Sequence, residues 1–273
     1  MPSPTLAPGI LAADTITKLP PEAAGAVVVS GSHGGRYPGY LAASARVRAV
    51  ILNDAGVGRD EAGIGALGYL EALGIAAATV SHLTARIGDV TDMLARGRIS
   101  HANRIARAAG VAAGLACRDA AERLRAAPHV EADPPPLGEA RSEIGLGAKR
   151  IVLVDSASLV RPEDVGRIIV TGSHGGLIGG DPTMALRADA FAGVFNDAGI
   201  GVDEAGVTRL PALDRRGIAG LTVSAASARI GEARSTFRDG IVSRANETAR
   251  RLGAREGAPL EPLLRAWAAA APG

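Results

Sequence analysis

The chain states one polar pattern twice, and that repeat restricts it to folds built from two copies of a single unit. Ser30-Gly31-Ser32-His33-Gly34-Gly35 returns as Thr171-Gly172-Ser173-His174-Gly175-Gly176. Asn53-Asp54-Ala55-Gly56, followed by Asp60-Glu61-Ala62-Gly63, returns as Asn196-Asp197-Ala198-Gly199, followed by Asp203-Glu204-Ala205-Gly206. Ala85-Arg86-Ile87-Gly88 returns as Ala228-Arg229-Ile230-Gly231. His33 and His174 stand 141 residues apart, whereas Asn53 and Asn196, like Arg86 and Arg229, stand 143 apart. One two-residue insertion between Gly176 and Asn196 therefore aligns the halves. A duplication serving packing alone would keep its apolar faces and let its loops drift. Here the matching residues are mostly polar or glycine, the types from which sites are built.

Within each half, short apolar runs alternate with helix-like stretches. In the first, 10–13, 26–29, 47–52 and 75–80 read as strands, and 37–45, 60–73 and 92–109 as helices. In the second, 151–154, 167–170, 191–195 and 220–223 read as strands, and 203–213, 236–252 and 260–269 as helices. Apolar, β-branched runs bounded by glycine and alternating with helices indicate βαβ units. The fold expected is α/β: two repeats related by a pseudo-two-fold axis, each a mostly parallel sheet flanked by helices. The link between Asp14 and Ala26 is short for a right-handed crossover. Pro134-Pro135-Pro136 lacks amide hydrogens and stiffens the chain, so 128–147 reads as a linker between repeats at 1–127 and 148–273.

At 273 residues the chain has ample length for a core. Hydrophobic residues make up 47% and aromatics only 3%, so small aliphatic side chains fill that core and elements pack closely. Thirty basic residues nearly balance twenty-eight acidic ones. Neither a basic stripe nor aromatic stacking platforms are present, which argues against nucleic-acid binding. No apolar run approaches the ~18 residues of a membrane span, and the N-terminus does not read as a signal peptide. The lone Cys117 has no intrachain partner, which favours a reducing compartment. A cytoplasmic protein, assembled as a homodimer or homotetramer through its alanine-rich surfaces, is expected.

The candidate site residues sit after strands, where ligands bind in open α/β sheets. Ser32-His33-Gly34-Gly35 and Ser173-His174-Gly175-Gly176 combine an imidazole near its working pKa with glycines whose amides can face an anion. Asp54 and Asp197 read as partners for those imidazoles or as bases, and Asn53 and Asn196 as donors to an oxyanion. Arg86 and Arg229, after the strand ends at Ser81 and Ser224, suit bidentate recognition of a carboxylate or phosphate, with a salt bridge between halves as the plain alternative. Asp60 and Asp203 read as helix caps. Ser100 and Asn103, repeated as Ser243 and Asn246, read as one polar face of a helix. His82 has no twin, because Ala225 stands in its place.

Gly31-Ser32-His33-Gly34-Gly35 does not fit the spacing of a dinucleotide fingerprint, and no Walker-type phosphate loop is present. Racemases that use one cysteine from each half are excluded by the single Cys117. The reading that results is an enzyme acting on a small carboxylate-bearing substrate in a cleft between the repeats, by hydrolysis of an amide, imide or lactam bond. His33, His174, Asp54, Asp197, Ser32, Ser173 and His82 are its catalytic candidates. Arg86, Arg229, Asn53, Asn196, Ser81, Ser224 and the paired glycines 34, 35, 175 and 176 are its substrate-binding candidates. No cofactor is required. Alternatives are lyase or isomerase chemistry, a hydrolase holding zinc or manganese on His33, Asp54 and their twins, and a non-enzymatic small-molecule regulator.

Overall fold

Two similar sheets, one from each repeat, carry the chain, and the computed structural model describes residues 6–270. The first half comprises β1 (Ile10–Ala13), β2 (Val27–His33), α1 (Arg36–Ser44), β3 (Ala49–Asn53), α2 (Gly65–Ala72), β4 (Ala76–Val80), α3 (Val90–Arg96), β5 (Ile99–Ala102), α4 (Arg104–Ala108) and α5 (Cys117–Leu124). The second comprises β6 (Arg141–Leu146), β7 (Lys149–Val154), β8 (Ile168–His174), β9 (Ala192–Asn196), α6 (Arg209–Asp214), β10 (Ala219–Val223), α7 (Ala233–Asp239), β11 (Val242–Ala245), α8 (Glu247–Arg251) and α9 (Leu260–Ala269). Strand order is β1-β2-β3-β4-β5 in one sheet and β11-β10-β9-β8-β7-β6 in the other. Strands β1 to β4 are parallel, as are β7 to β10, while β5, β6 and β11 join antiparallel at the edges.

The expected α/β duplication is therefore the observed architecture. Helices and turns cover both faces of each sheet, which is why the central strands are continuous apolar runs rather than alternating ones. Successive side chains still point to opposite faces. Val27, Val29 and Ile51 enter one core cluster, and Val28, Val50 and Leu52 enter another. The short link after Asp14 holds two 3-10 turns, and β1 nonetheless lies parallel to β2. No helix among the described residues is long and apolar enough to cross a membrane.

Four local expectations are corrected. The long helices expected at 92–109 and 236–252 are each broken into helix, strand and helix. A Cβ at Gly97 would lie 2.4 Å from the Met93 carbonyl oxygen, and at Gly240 2.3 Å from that of Thr236, so each chain bends at its glycine. Ser100 and Asn103 do not share a helix face. The Ser100 hydroxyl meets that of Thr79 at 3.0 Å across the sheet edge, and the Asn103 side chain caps α4 through the Ala106 amide at 2.9 Å. Ser243 and Asn246 repeat both roles. Asp60 and Asp203 cap no helix: with Glu61 and Glu204 they hold left-handed φ of 53–57° inside 3-10 turns. Finally, β6 lies within the expected linker, so irregular chain between the halves ends before Arg141.

The two halves meet along their Asn-Asp-Ala-Gly loops. Ala55, Ile87, Ala198, Ala205 and Ile230 form a shared buried cluster. Each half donates a reciprocal backbone hydrogen bond, Arg59 to the Ala225 carbonyl and Val202 to that of His82. Contact at the axis is backbone on backbone, because a Cβ on Gly56 would sit 2.8 Å from Gly199 Cα and the reverse holds at the same distance. Val57 and Ile200 adopt φ of 60° and 63°, a conformation that β-branched residues avoid. Docking of the halves holds these loops in that state.

Gly56→Ala, which adds both a left-handed alanine and a clash at the axis, is expected to cost at least about 2 kcal/mol. Gly68→Ala, in α2 with open space around it, is expected to gain about 0.5–1 kcal/mol. Urea denaturation of both variants measures the contrast. Equal effects would mean that the axial approach does not limit stability.

Candidate functional site

Strands β2 and β8 end in the repeated histidines, and each carries a register shift just before its end, between Val29 and His33 and between Val170 and His174. Beyond each strand the chain folds back on its imidazole. The Gly35 amide donates to His33 Nδ1 at 3.1 Å, and the Gly176 amide donates to His174 Nδ1 at 3.2 Å. A Cβ on Gly35 would lie 2.7 Å from the ring, so the second glycine of the motif makes room for the imidazole. The first glycine is held against the 3-10 turn that follows the Asn-Asp loop: a Cβ on Gly34 would meet the Gly63 carbonyl oxygen at 2.5 Å, and one on Gly175 would meet that of Gly206 at the same distance.

With Nδ1 accepting a backbone N–H, a neutral imidazole carries its proton on Nε2. Burial lowers the His33 pKa to about 4. His174 is held well below its ordinary value by burial, then by the charges of Arg209 and His33, with the Gly176 amide opposing. At neutral pH both rings are uncharged donors, and their basic nitrogens are already engaged.

Both imidazoles line one cavity of about 650 Å³ between the halves. Ser32 and Thr15 join it from the first half, Ser173 and Ser156 from the second. The covering turns are exchanged: a Cβ on Gly231 would lie 3.6 Å from His33, and one on Gly88 would lie 3.4 Å from His174. Each histidine thus sits under the Ala-Arg-Ile-Gly turn of the other repeat. The Ser32 hydroxyl accepts from the Ile16 amide and that of Ser173 from the Ala157 amide, at 3.0 and 2.9 Å, leaving each hydroxyl hydrogen free to donate.

The other expected site residues lie elsewhere or are already partnered. Asp54 does not orient His33. Its Oδ1 accepts from the Gly56 and His82 amides and lies 2.8 Å from His82 Nδ1. Burial opposes ionisation of Asp54, but the His82 hydrogen bonds outweigh it and hold the carboxyl below its usual range. Asp197, with Ala225 in place of a histidine, accepts the Gly199 and Ala225 amides. Asn53 and Asn196 are fully buried, and their side chains tie the strand ends to the Ala85 and Ala228 carbonyls. Ser81 and Ser224 hydroxyls accept from the Leu83 and Ala226 amides. Asp197 and Ser224 border a separate hollow near the axis. Arg86 pairs with Asp203 at 2.9 Å and Arg229 with Asp60 at 2.8 Å, so the salt bridge between halves is the observed arrangement. Of the two, only Arg229 lines the cavity.

A metal on His33 and Asp54 is not supported by this placement, and no cluster of three His, Cys, Asp or Glu able to hold a metal occurs among the described residues. Burial pushes the Cys117 thiol up to about 12, which makes it a poor nucleophile.

Of the cavity residues not expected from the sequence, two bear directly on its chemistry. Glu139 lines the cavity from the connecting stretch. Burial, followed by the charge of Asp155, raises its carboxyl to about 7 against a hydrogen bond from Ser156. Nothing in the proline-rich tract marks it, since the first repeat has no counterpart. Arg209 also lines the cavity, and the aligned position of the first repeat is Ala66. That substitution of a large cation for alanine was a readable asymmetry.

Neutral burial of the imidazoles fixes the sign of a pH effect. Unfolded histidine binds its proton near pH 6.5, whereas folded His33 does so only near 4 and His174 also well below its ordinary value. Between those pH values the unfolded state holds more protons, so stability rises with pH through the window and falls on acidification. The melting temperature is expected to drop from pH 7 to pH 4.5, and less steeply in a His33→Gln/His174→Gln double variant. Identical slopes would show that the rings do not titrate this way.

No family model, curated protein or solved structure matches the chain.

Proposed function

We propose that the chain is an enzyme that hydrolyses an amide, imide or lactam bond of a small carboxylate-bearing substrate in the cavity between its repeats. One observation carries the reading: two imidazoles, one per repeat, are both fixed as neutral Nε2 donors and line a single cavity. Preorganised donors directed at a carbonyl are most effective when negative charge develops on its oxygen. A neutral imidazole serves that purpose without first losing a proton.

In this scheme the substrate carbonyl oxygen accepts from His33 and His174. Glu139, with a pKa near 7, takes a proton from water as the water oxygen bonds to the carbonyl carbon. The tetrahedral oxyanion is held by the two Nε2 hydrogens. Glu139 then returns the proton to the leaving nitrogen as the C–N bond breaks, which leaves a carboxylic acid and an amine. The histidines act as electrophilic donors rather than the proton carriers expected from the sequence. Ser32 and Ser173 donate hydroxyl hydrogens to the bound substrate. The lone, buried thiol favours a reducing, cytoplasmic setting.

Screening of cyclic amides, imides and N-acyl amino acids is expected to find turnover. His33→Gln and His174→Gln are each expected to lower kcat about 10²- to 10³-fold. Because Glu139 must be ionised to act as base, kcat/KM is expected to rise with pH through about 7. Glu139→Gln should abolish that inflection and lower kcat about 10²- to 10⁴-fold. Binding without turnover across the screen would favour a regulator. Full activity in the double histidine variant would end the proposal.

A further inference from the structure

The second repeat buries a guanidinium that has no acidic partner among the described residues. Arg209, in the first turn of α6, is 3% exposed. It forms no ion pair among the described residues: its neighbours are carbonyls and a ring. Its Nε donates to the Gly176 carbonyl at 3.0 Å, and its Nη1 to those of Met184 and Ala185 at 2.7 and 2.5 Å. The Phe195 ring lies 5.0 Å from the guanidinium carbon. Nη2 makes no hydrogen bond among the described residues, and the side chain lines the cavity that holds His33 and His174.

An arginine has five N–H donors, and the protein engages Nε and Nη1. Burying a charge without a counter-charge is costly, and the carbonyl dipoles offset only part of that cost. The first repeat avoids it, with Ala66 at the same place in the backbone pattern: the Ala66 amide donates to Gly34 as the Arg209 amide donates to Gly175. Lys18 and Arg36 of the first repeat also line the cavity, but neither is buried as Arg209 is, so the buried cation at this one aligned position gives the duplicated cavity a direction.

We propose that Arg209 is the anchor for the substrate carboxylate, donating from Nη2 to one carboxylate oxygen or both, and that it orients the substrate with its anionic end toward the second repeat. This inference rests on the cavity being the substrate site proposed above. Ser173 supplies a hydroxyl, and Arg187 a second cation, on the same side of the cavity. Arg86 and Arg229 do not fill this role, because Asp203 and Asp60 already neutralise them. Binding of an anion at Arg209 would also offset the positive field that Arg209 exerts on His174.

The test uses the full chain and unreactive probes: succinate, its neutral diamide and inorganic phosphate. Isothermal titration is expected to show saturable succinate binding, with the diamide and phosphate at least tenfold weaker. Arg209→Lys, which keeps the charge but loses the planar donor pair, is expected to weaken succinate at least tenfold while circular dichroism stays unchanged. Should that variant not fold, ¹⁵N NMR of the unaltered protein decides: succinate is expected to raise the pH at which His174 titrates, and the diamide is not. Equal succinate affinity in folded Arg209→Lys, equal binding of phosphate, or an unmoved His174 with saturating succinate would each overturn the assignment. Succinate binding that depends on Arg209 without turnover of any amide would leave this anchor standing and refute only the hydrolase. Turnover with succinate binding indifferent to Arg209 would do the reverse.

Discussion

The hydrogen bond from a glycine amide to the Nδ1 of the preceding strand-end histidine sets the chemistry of the whole cavity. It fixes which nitrogen carries the proton, holds the ring against the backbone and requires a residue without Cβ two positions on. Burial then keeps the ring neutral. Because the bond is made within three residues, each repeat builds it independently, and both repeats build it alike. What neither repeat can supply alone is the cover over its own ring, which comes from the Ala-Arg-Ile-Gly turn of the other.

That exchange depends on how closely the halves approach. Gly56 and Gly199 touch through their backbones, a small apolar cluster seals the contact, and Arg86 and Arg229 reach across to Asp203 and Asp60. The left-handed aspartates and glutamates of the intervening turns place those carboxylates at the interface. Much of the duplicated polar pattern therefore serves docking. The Asn-Asp pairs close turns through Asn53, Asp54 and their twins, and the arginines join the halves. The cavity retains the histidines, the adjoining serines, Arg229 and the residues that break the symmetry.

The duplicated architecture, the main strands and the strand-end histidines were legible in the sequence, since apolar runs bounded by glycine report directly on buried parallel strands. The edge strands β5 and β11 were not. Their Ser-x-x-Asn spacing matches a helix face as well as it matches a strand followed by a cap, and only Thr79 and Thr222 across the sheet distinguish the two. The His33–Asp54 relay failed for a related reason. Both residues end strands, but Asp54 is captured by the turn carrying His82, a contact between segments 28 residues apart.

By itself the sequence determined the repeat, the sheet-forming runs and the glycines that let each imidazole fold onto its own backbone, because these depend on interactions within a few residues. The tertiary structure decided which of the matched polar groups meet. It turned the arginines into bridges, separated Asp54 from His33, and brought Glu139 and Arg209 to the same cavity as both rings. Those outcomes follow from burial and from contacts between distant segments, which raise the Glu139 carboxyl toward neutrality and leave the buried Arg209 guanidinium with no counter-charge among the described residues.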